Sequence, residues 1–142
     1  MRGAVHHIDL SVRDPRAARP FWEAVLGFMG YAVSTEYDHG GYDFDVGAPG
    51  GAFCSIGIRP TAGANAGRDH DRYSSGLHHL AWTASSRADV DALHALLVKV
   101  GAVVLDPPAE YPEYSEGYFA VFFADPDGLK LEYCFVPSAT SA

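Results

Sequence analysis

Two short stretches of the chain, residues 6–12 (HHIDLSV) and 78–84 (HHLAWTA), share one pattern of apolar and polar positions. Each stretch opens with a histidine pair and then alternates apolar residues with small or polar ones. A period of two is the signature of a half-buried strand, with one face turned to a core. The pattern places His7 and His79 on the face turned away from the core, whereas His6 and His78 fall on the packed face.

Each stretch is followed by a predicted helix and three predicted strands. The first helix begins at Asp14-Pro15 and ends at Gly27 as a left-handed cap, with Pro20 expected to distort its first turn. The second begins at Ser85 or Ser86 and ends near residue 100, with Gly101 as its stop. The predicted strands are 31–37, 42–46 and 52–59 in the first half and 103–105, 118–124 and 129–136 in the second, with Pro107-Pro108 ending strand 103–105.

The repetition of this order indicates an internal duplication. The paired histidines His7 and His79 are 72 residues apart, and the glycines Gly27 and Gly101 are 74 apart. We therefore predict an α+β fold of two tandem β-α-β-β-β modules in a single domain, with repeats at about 1–59 and 77–136 joined by a loop at 60–76. A pseudo-two-fold axis between the modules would bring His7 and His79 toward one site.

Composition and charge narrow the classes of partner. A chain of 142 residues that is 48% hydrophobic can bury one ordinary hydrophobic core, either as one unit or as two small halves that share it. The net charge of -8 and the pI near 5.1 argue against nucleic acid as the main partner. Neither an apolar run of membrane length nor a leader pattern is present, so we predict a cytoplasmic protein without membrane attachment. Cys54 and Cys134 are predicted to be buried free thiols.

A third candidate residue lies in the last predicted strand. Alternation puts Glu132 on the face opposite the apolar one, and a carboxylate inside an apolar strand needs a partner or a metal ion. His7, His79 and Glu132 together match the two-histidine, one-carboxylate triad, which leaves positions on a bound ion open. We predict one divalent metal ion, Fe, Mn, Ni, Zn or Co, bound by these three residues. Asp9 shares the face of His7 and is a candidate base or a partner of the ligands.

Four segments carry a resemblance to a known family: residues 7–12, 25–28 (VLGF), 76–81 (GLHHLA) and 123–132 (FADPDGLKLE). In this order, and with the internal repeat, the chain resembles the vicinal oxygen chelate superfamily over essentially its whole length. That superfamily contains glyoxalase I, bleomycin-resistance proteins, extradiol dioxygenases and fosfomycin-resistance proteins. The resemblance implies a cupped mixed sheet with the helices on its convex side, and metal ligands at His7, His79 and Glu132.

The chain departs from two members of that superfamily. Glyoxalase I enzymes usually take a fourth ligand from the fourth strand of the first module, and aligning Gly51 with Gly128 places Ser55 there. Serine is a poor ligand for a divalent ion, so the pattern disfavours true lactoylglutathione lyase activity. Fosfomycin-resistance proteins carry a small hydroxyl residue where this chain has Asp9, and no arginine follows Glu132. The ligand set of this chain is therefore more similar to that of superfamily members with three metal ligands.

The substrate pocket is predicted from residues near these ligands. Arg68 or Arg72 is a candidate for holding an anionic substrate, and Tyr111, Tyr114 and Tyr118 are candidates for an aromatic rim. The alternative interpretations are surface positions for the arginines and ordinary packing for the tyrosines. Ser55 is predicted to line the substrate pocket, because it aligns with the proposed ligand Glu132 in the other module.

Two functions follow from the resemblance and the triad. The favoured one is a metal-dependent lyase, isomerase or dioxygenase acting on a small molecule with vicinal oxygens. The alternative is a non-catalytic protein of the bleomycin-resistance type that sequesters a small molecule or antibiotic without metal. Because relatives commonly pair their cupped sheets across a two-fold axis, a homodimer is expected, with modules paired within one chain or exchanged between chains.

Overall fold

Each half of the chain forms one strand, one helix and three further strands, in that order. The computed structural model describes residues 2–47 and 53–137, and the chain divides after Arg68 into two units. The first unit contains β1 (His7–Val12), α1 (Pro15–Phe28), β2 (Ala32–Glu36), β3 (Tyr42–Gly47), β4 (Phe53–Pro60) and a short 3-10 turn (Gly63–Asn65). The second contains β5 (His79–Thr83), α2 (Arg87–Lys99), β6 (Val103–Glu110), β7 (Phe119–Ala124) and β8 (Lys130–Phe135).

The two sheets have the same topology. Their strand orders are β1-β4-β3-β2 and β5-β8-β7-β6. In each sheet the first pair is parallel and the other pairs are antiparallel. The predicted α+β fold of tandem β-α-β-β-β modules is confirmed.

In the first unit, α1 buries its apolar stripe, and Trp22, Val25 and Leu26 have no exposed surface. Its start is fixed by Asp14, whose carboxylate accepts a hydrogen bond from the Ala17 N–H. The buried hydroxyl of Tyr42 in β3 donates to the carbonyl oxygen of Pro15 at 2.7 Å and ties sheet to helix.

The second unit repeats this arrangement with different side chains. Ser86 caps α2 by accepting from the Asp89 N–H, and the helix buries Val90, Leu93 and Leu97. The hydroxyl of Tyr133 in β8 donates to the Asp89 carboxylate at 2.7 Å. In both units a tyrosine therefore joins the sheet to the first turn of its helix.

Two local predictions are wrong. The left-handed residue after α1 is Gly30 rather than Gly27, because the helix continues to Phe28. Pro20 lies inside this helix, and the distortion of its first turn stays a prediction. Strand β6 continues through Pro107-Pro108 to Glu110 because it is the edge strand, where a missing N–H costs little. A register irregularity between Asp106 and Ala109 accommodates the prolines.

The division between the two units falls inside the predicted loop at 60–76, so its first part belongs to the first unit and the rest to the second. The Thr61 N–H donates to the Val12 carbonyl in the first unit, and the His70 N–H donates to the Asp127 carbonyl in the second. The grouping of the repeats into a single domain stays a prediction. Residues 48–51 of the predicted turn and Ala52 of the predicted strand lie outside the described residues.

Cys54 and Cys134 are both free thiols, and Cys134 is buried whereas Cys54 is partly exposed. Among the described residues, no helix has the length and apolarity needed to cross a membrane.

Candidate functional site

The first unit has a polar cavity on the sheet face that α1 does not cover. Its volume is about 300 Å³. The residues that line it are His6, His7, Asp9, Tyr37, Asp43, Asp45, Phe53, Ser55 and Arg59. His7 and Asp9 come from β1, and alternation along β3 and β4 brings Asp43, Ser55 and Arg59 to the same face.

Charged side chains in this cavity form one hydrogen-bonded chain. Arg59 Nη2 lies 2.7 Å from Asp43 Oδ1 and 3.3 Å from Asp9 Oδ1, and the Tyr37 hydroxyl donates to Asp43 Oδ2 at 2.6 Å. Burial opposes ionisation of Asp43, but the hydrogen bonds from Tyr37 and Arg59 outweigh it and lower the Asp43 pKa. Asp9 is therefore engaged by a guanidinium.

The strand register shows what occupies the position equivalent to Glu132 in the first unit. His7 is bridged to Ser55 and His79 to Lys130, so Glu132, two residues past Lys130, corresponds to Gly57. The parallel pairs thus point to Gly57, whereas the antiparallel pairs, in which Asp45 faces Ser55 as Phe122 faces Glu132, give the same equivalence as the sequence alignment. Both Ser55 and Gly57 therefore lie where a ligand equivalent to Glu132 would be expected. A Cβ at Gly57 would collide with the Asp9 and Arg59 side chains. An ion pair, and no fourth carboxylate ligand, fills this space.

The second unit has a more aromatic cavity on the equivalent face. It measures about 320 Å³. The residues that line it are His78, His79, Tyr114, Tyr118, Phe122, Lys130 and Glu132. Glu132 is only 3% exposed although its side chain is polar.

Two neighbouring side chains hold the Glu132 carboxylate. The Tyr118 hydroxyl donates to Oε1 at 2.5 Å, and His79 Nε2 lies 3.1 Å from Oε2. Burial, together with hydrogen bonds to Cys134 and Glu132, raises the pKa of Tyr118 far above its usual value, so this hydroxyl keeps its proton and acts as a donor. The cavity therefore presents a carboxylate and an imidazole nitrogen side by side.

The first histidine of each pair also belongs to the cavities. Nδ1 of His6 lies 3.1 Å from Nδ1 of His7, and Nδ1 of His78 lies 2.8 Å from Nδ1 of His79. Both His6 and His78 are exposed. The prediction that they lie on the packed face is wrong, because β1 and β5 begin at the second histidine and strand alternation does not extend to the first.

Comparison with known proteins gives the family. The Glyoxalase/Bleomycin resistance protein/Dioxygenase superfamily is matched over residues 4–133. The chain belongs to this superfamily. It is also 30% identical over 128 residues to the uncharacterized protein YqjT of Bacillus subtilis (strain 168), a match that covers 90% of this chain and 95% of YqjT.

Solved structures of superfamily members have the same fold. A candidate glyoxalase from Bacillus halodurans superposes with a TM-score of 0.78 at 26% identity and covers 95% of this chain and 97% of its own. A lactoylglutathione lyase from Agrobacterium tumefaciens superposes with a TM-score of 0.65 over 94% of this chain and 93% of its own. Its identity is 19%, so this likeness shows the fold alone.

Members of the superfamily generally bind a divalent metal, and the pair of His79 and Glu132 fits such a group. Two ligands about 2.1 Å from one ion and at right angles to each other are about 3 Å apart, which is the separation of His79 Nε2 and Glu132 Oε2. Within residues 2–47 and 53–137, no three His, Cys, Asp or Glu side chains cluster as a metal site.

The remaining predicted pocket residues are distributed unevenly. Ser55 lines the first cavity, and Tyr114 and Tyr118 line the second. Tyr111 supports that wall, since its ring stacks on Tyr114 and meets Phe122 edge-on. Arg68 and Arg72 line neither cavity; Arg68 is exposed, and the Arg72 guanidinium lies over the Tyr73 ring.

Sequence reasoning missed several residues of both cavities. In the first it missed Tyr37, Asp43, Asp45, Phe53 and Arg59, and in the second Phe122 and Lys130. Strand alternation could have found Asp43 and Asp45, which flank the buried Phe44, and Lys130, which shares the face of Glu132. No local signal marks Tyr37, which reaches the cavity through its hydrogen bond to Asp43.

Proposed function

We propose that this chain is a divalent-metal-dependent enzyme of the superfamily that acts on a small molecule with vicinal oxygens. His7, His79 and Glu132 are the proposed ligands of one Fe, Mn, Ni, Zn or Co ion. Lyase, isomerase and dioxygenase reactions are all compatible with this ligand set.

The buried carboxylate of Glu132 carries the proposal. It lies in a cavity wall, and among the described residues neither lysine nor arginine pairs with it; its partners are Tyr118 and His79. A buried carboxylate is costly without a cation, and its second oxygen already faces an imidazole nitrogen. Both atoms are donors that a divalent ion accepts.

The protein's own groups have separate roles in this proposal. When bound, the ion would supply Lewis-acid polarisation of a substrate oxygen. Tyr118 fixes the Glu132 carboxylate, and the rings of Tyr114 and Phe122 form aromatic parts of the cavity wall. Asp9 is a weaker candidate for a base, because the Arg59 guanidinium occupies one of its oxygens.

Adjacent histidines provide matched variants for a test. We expect chelator-free protein to contain close to one divalent ion per chain by elemental analysis, and His7→Ala, His79→Ala and Glu132→Gln to retain less than about a tenth of it. The controls His6→Ala and His78→Ala remove an imidazole that contacts a proposed ligand and leave the ligand itself in place. They should still load with metal when it is in excess, even where its affinity falls. Parent protein that cannot be loaded, or equal losses in control and test variants, would refute the ligand assignment.

The same protein preparation can distinguish the proposed enzyme from the alternative, a protein that only sequesters its ligand. A sequestering protein of the bleomycin-resistance type would bind a bulky ligand without consuming it, and EDTA would leave that binding unchanged. For the enzyme we expect EDTA to abolish turnover and reloading with the native ion to restore it. Within the enzyme class, oxygen uptake by the Fe(II)-loaded protein with catechols would distinguish a dioxygenase from a lyase or isomerase.

We also propose that the protein is a homodimer. The superfamily is often dimeric, which supports this proposal.

A further inference from the structure

Lys130 is a charged residue of the second cavity with no role in the proposed ligand set. Lys99 and Lys130 are the two lysines of the chain. Lys130 is the first residue of β8, is partly buried, and lines the cavity beside His79 and Glu132. Its ammonium lies 4.5 Å from the centre of the Phe122 ring.

This ammonium has no anionic partner in the part of the chain that the structure describes. The two oxygens of Glu132 are taken up by Tyr118 and His79, and no carboxylate lies within ion-pair distance of Lys130. By contrast, Arg19, Arg59 and Arg87 all pair with carboxylates. Lys130 therefore brings into the cavity a positive charge that no ion pair engages.

Aromatic side chains line the same cavity as this charge. The rings of Tyr114 and Tyr118 meet at 5.3 Å, and Tyr111 packs edge-on against Phe122 at the same separation. Such walls lower the local dielectric and strengthen the attraction between an ammonium and an anion. They also offer flat apolar surfaces to a planar ligand, and a cavity of about 320 Å³ has room for one.

We propose that Lys130 is a specificity-determining residue that selects a planar aromatic carboxylate with a neighbouring hydroxyl or keto oxygen. The carboxylate pairs with the Lys130 ammonium, and the ring packs against Phe122 and Tyr114. This inference rests on the proposed function for the role of the second oxygen, which faces the ion held by Glu132 and His79. The anion preference itself does not need the ion.

The test compares two probes that differ in charge and little else. Salicylate carries a carboxylate beside a hydroxyl, and salicylamide is its neutral counterpart. We expect the parent protein to bind salicylate at least about tenfold more tightly in calorimetric titrations, with and without Mn²⁺. In Lys130→Met this ratio should fall to about one through weaker salicylate binding alone, because methionine keeps the unbranched chain over Phe122.

Two control variants complete the design. Lys99→Met removes the other lysine, at the end of α2, and should leave the ratio unchanged; Lys130→Arg keeps the charge and should preserve most of it. A parent that binds neither probe or shows no preference, or a Lys130→Met variant that folds and keeps the preference, would overturn the proposal. Absence of Mn²⁺ binding, with the salicylate preference intact in metal-free protein, would instead remove the proposed function and leave the anion site standing.

Discussion

The hydroxyl of Tyr118 determines how the buried carboxylate of Glu132 is oriented. Its hydrogen bond to Oε1 leaves Oε2 facing His79 Nε2. Residues that hold a ligand in place commonly affect metal affinity about 10- to 100-fold although they never touch the ion. Under the proposed ligand assignment, Tyr118 is therefore a positioning residue.

We predict that Tyr118→Phe binds the divalent ion about tenfold more weakly in a competition titration, because Glu132 is free to adopt other rotamers. In the metal-free state the variant should also lose about 1–3 kcal/mol in the free energy of unfolding, since a buried carboxylate oxygen loses its donor. Tyr114→Phe removes a hydroxyl from an exposed ring of the same cavity and serves as the control. Equal metal affinities in the two variants would argue against the positioning role.

At the scale of elements, the turn between β7 and β8 sets the register in which Glu132 pairs with Phe122 and Lys130 pairs with Ala124. Asp125 organises this turn, because its Oδ1 accepts hydrogen bonds from the N–H groups of Asp127 and Leu129. Burial raises the pKa of Asp125 to about 6, and the nearby Asp127 adds to the effect, against the opposing influence of the two N–H donors. The turn therefore contains a carboxyl group that binds its proton more tightly in the folded state than in the unfolded state.

A pH dependence follows from this difference. With a folded pKa of about 6 against 3.8 for the unfolded chain, the contribution of Asp125 to stability falls as the pH rises from about 4 to 6. We predict that Asp125→Asn, which keeps the Oδ1 acceptor, gains up to about 3 kcal/mol relative to the parent between pH 4 and 7. Urea unfolding at several pH values measures this. The exposed Asp91→Asn is the control, and a parent–variant difference that stays constant with pH would contradict the prediction.

The elements were predictable wherever a local signal dominates. Asp14 and Ser86 cap the two helices as their side-chain chemistry requires, and the apolar stripes of both helices are buried. The exact end of α1 was missed because Gly27 and Gly30 are both compatible with a cap, and only packing selects between them. The continuation of β6 through two prolines depends on its edge position, which a sequence does not reveal before the strand order is known.

The site was predictable only in part, because some of its contacts depend on the assembled fold and leave no local signal in the sequence. Alternation placed His7, His79 and Glu132 on cavity faces, because their strands have one clear apolar side. The ion pair of Arg59 with Asp9 could not be anticipated, since it joins residues 50 positions apart and depends on the absence of a side chain at Gly57. A meeting of His7 with His79 and Glu132 stays a prediction.

At the scale of the whole molecule, the proposed homodimer can be tested by its mass. The superfamily is often dimeric, which supports this proposal. We predict a homodimer whose light-scattering mass is about 30 kDa, twice the 15.2 kDa of one chain; a mass of one chain would contradict it.

If the two modules are exchanged between the chains of a dimer, each proposed metal site takes its ligands from both chains. If His7 of one chain shares an ion with His79 and Glu132 of another, then His7→Ala and Glu132→Gln, each metal-free alone, complement each other in a mixed dimer. Refolding equal amounts together gives random pairing, in which half the dimers are mixed and each of these has one intact site of two, so we expect about a quarter of the parental metal content. Differently tagged chains confirm by pull-down that mixed dimers have formed. Mixed dimers without metal would mean that each chain supplies all three ligands itself, because the two defects would then lie in separate sites.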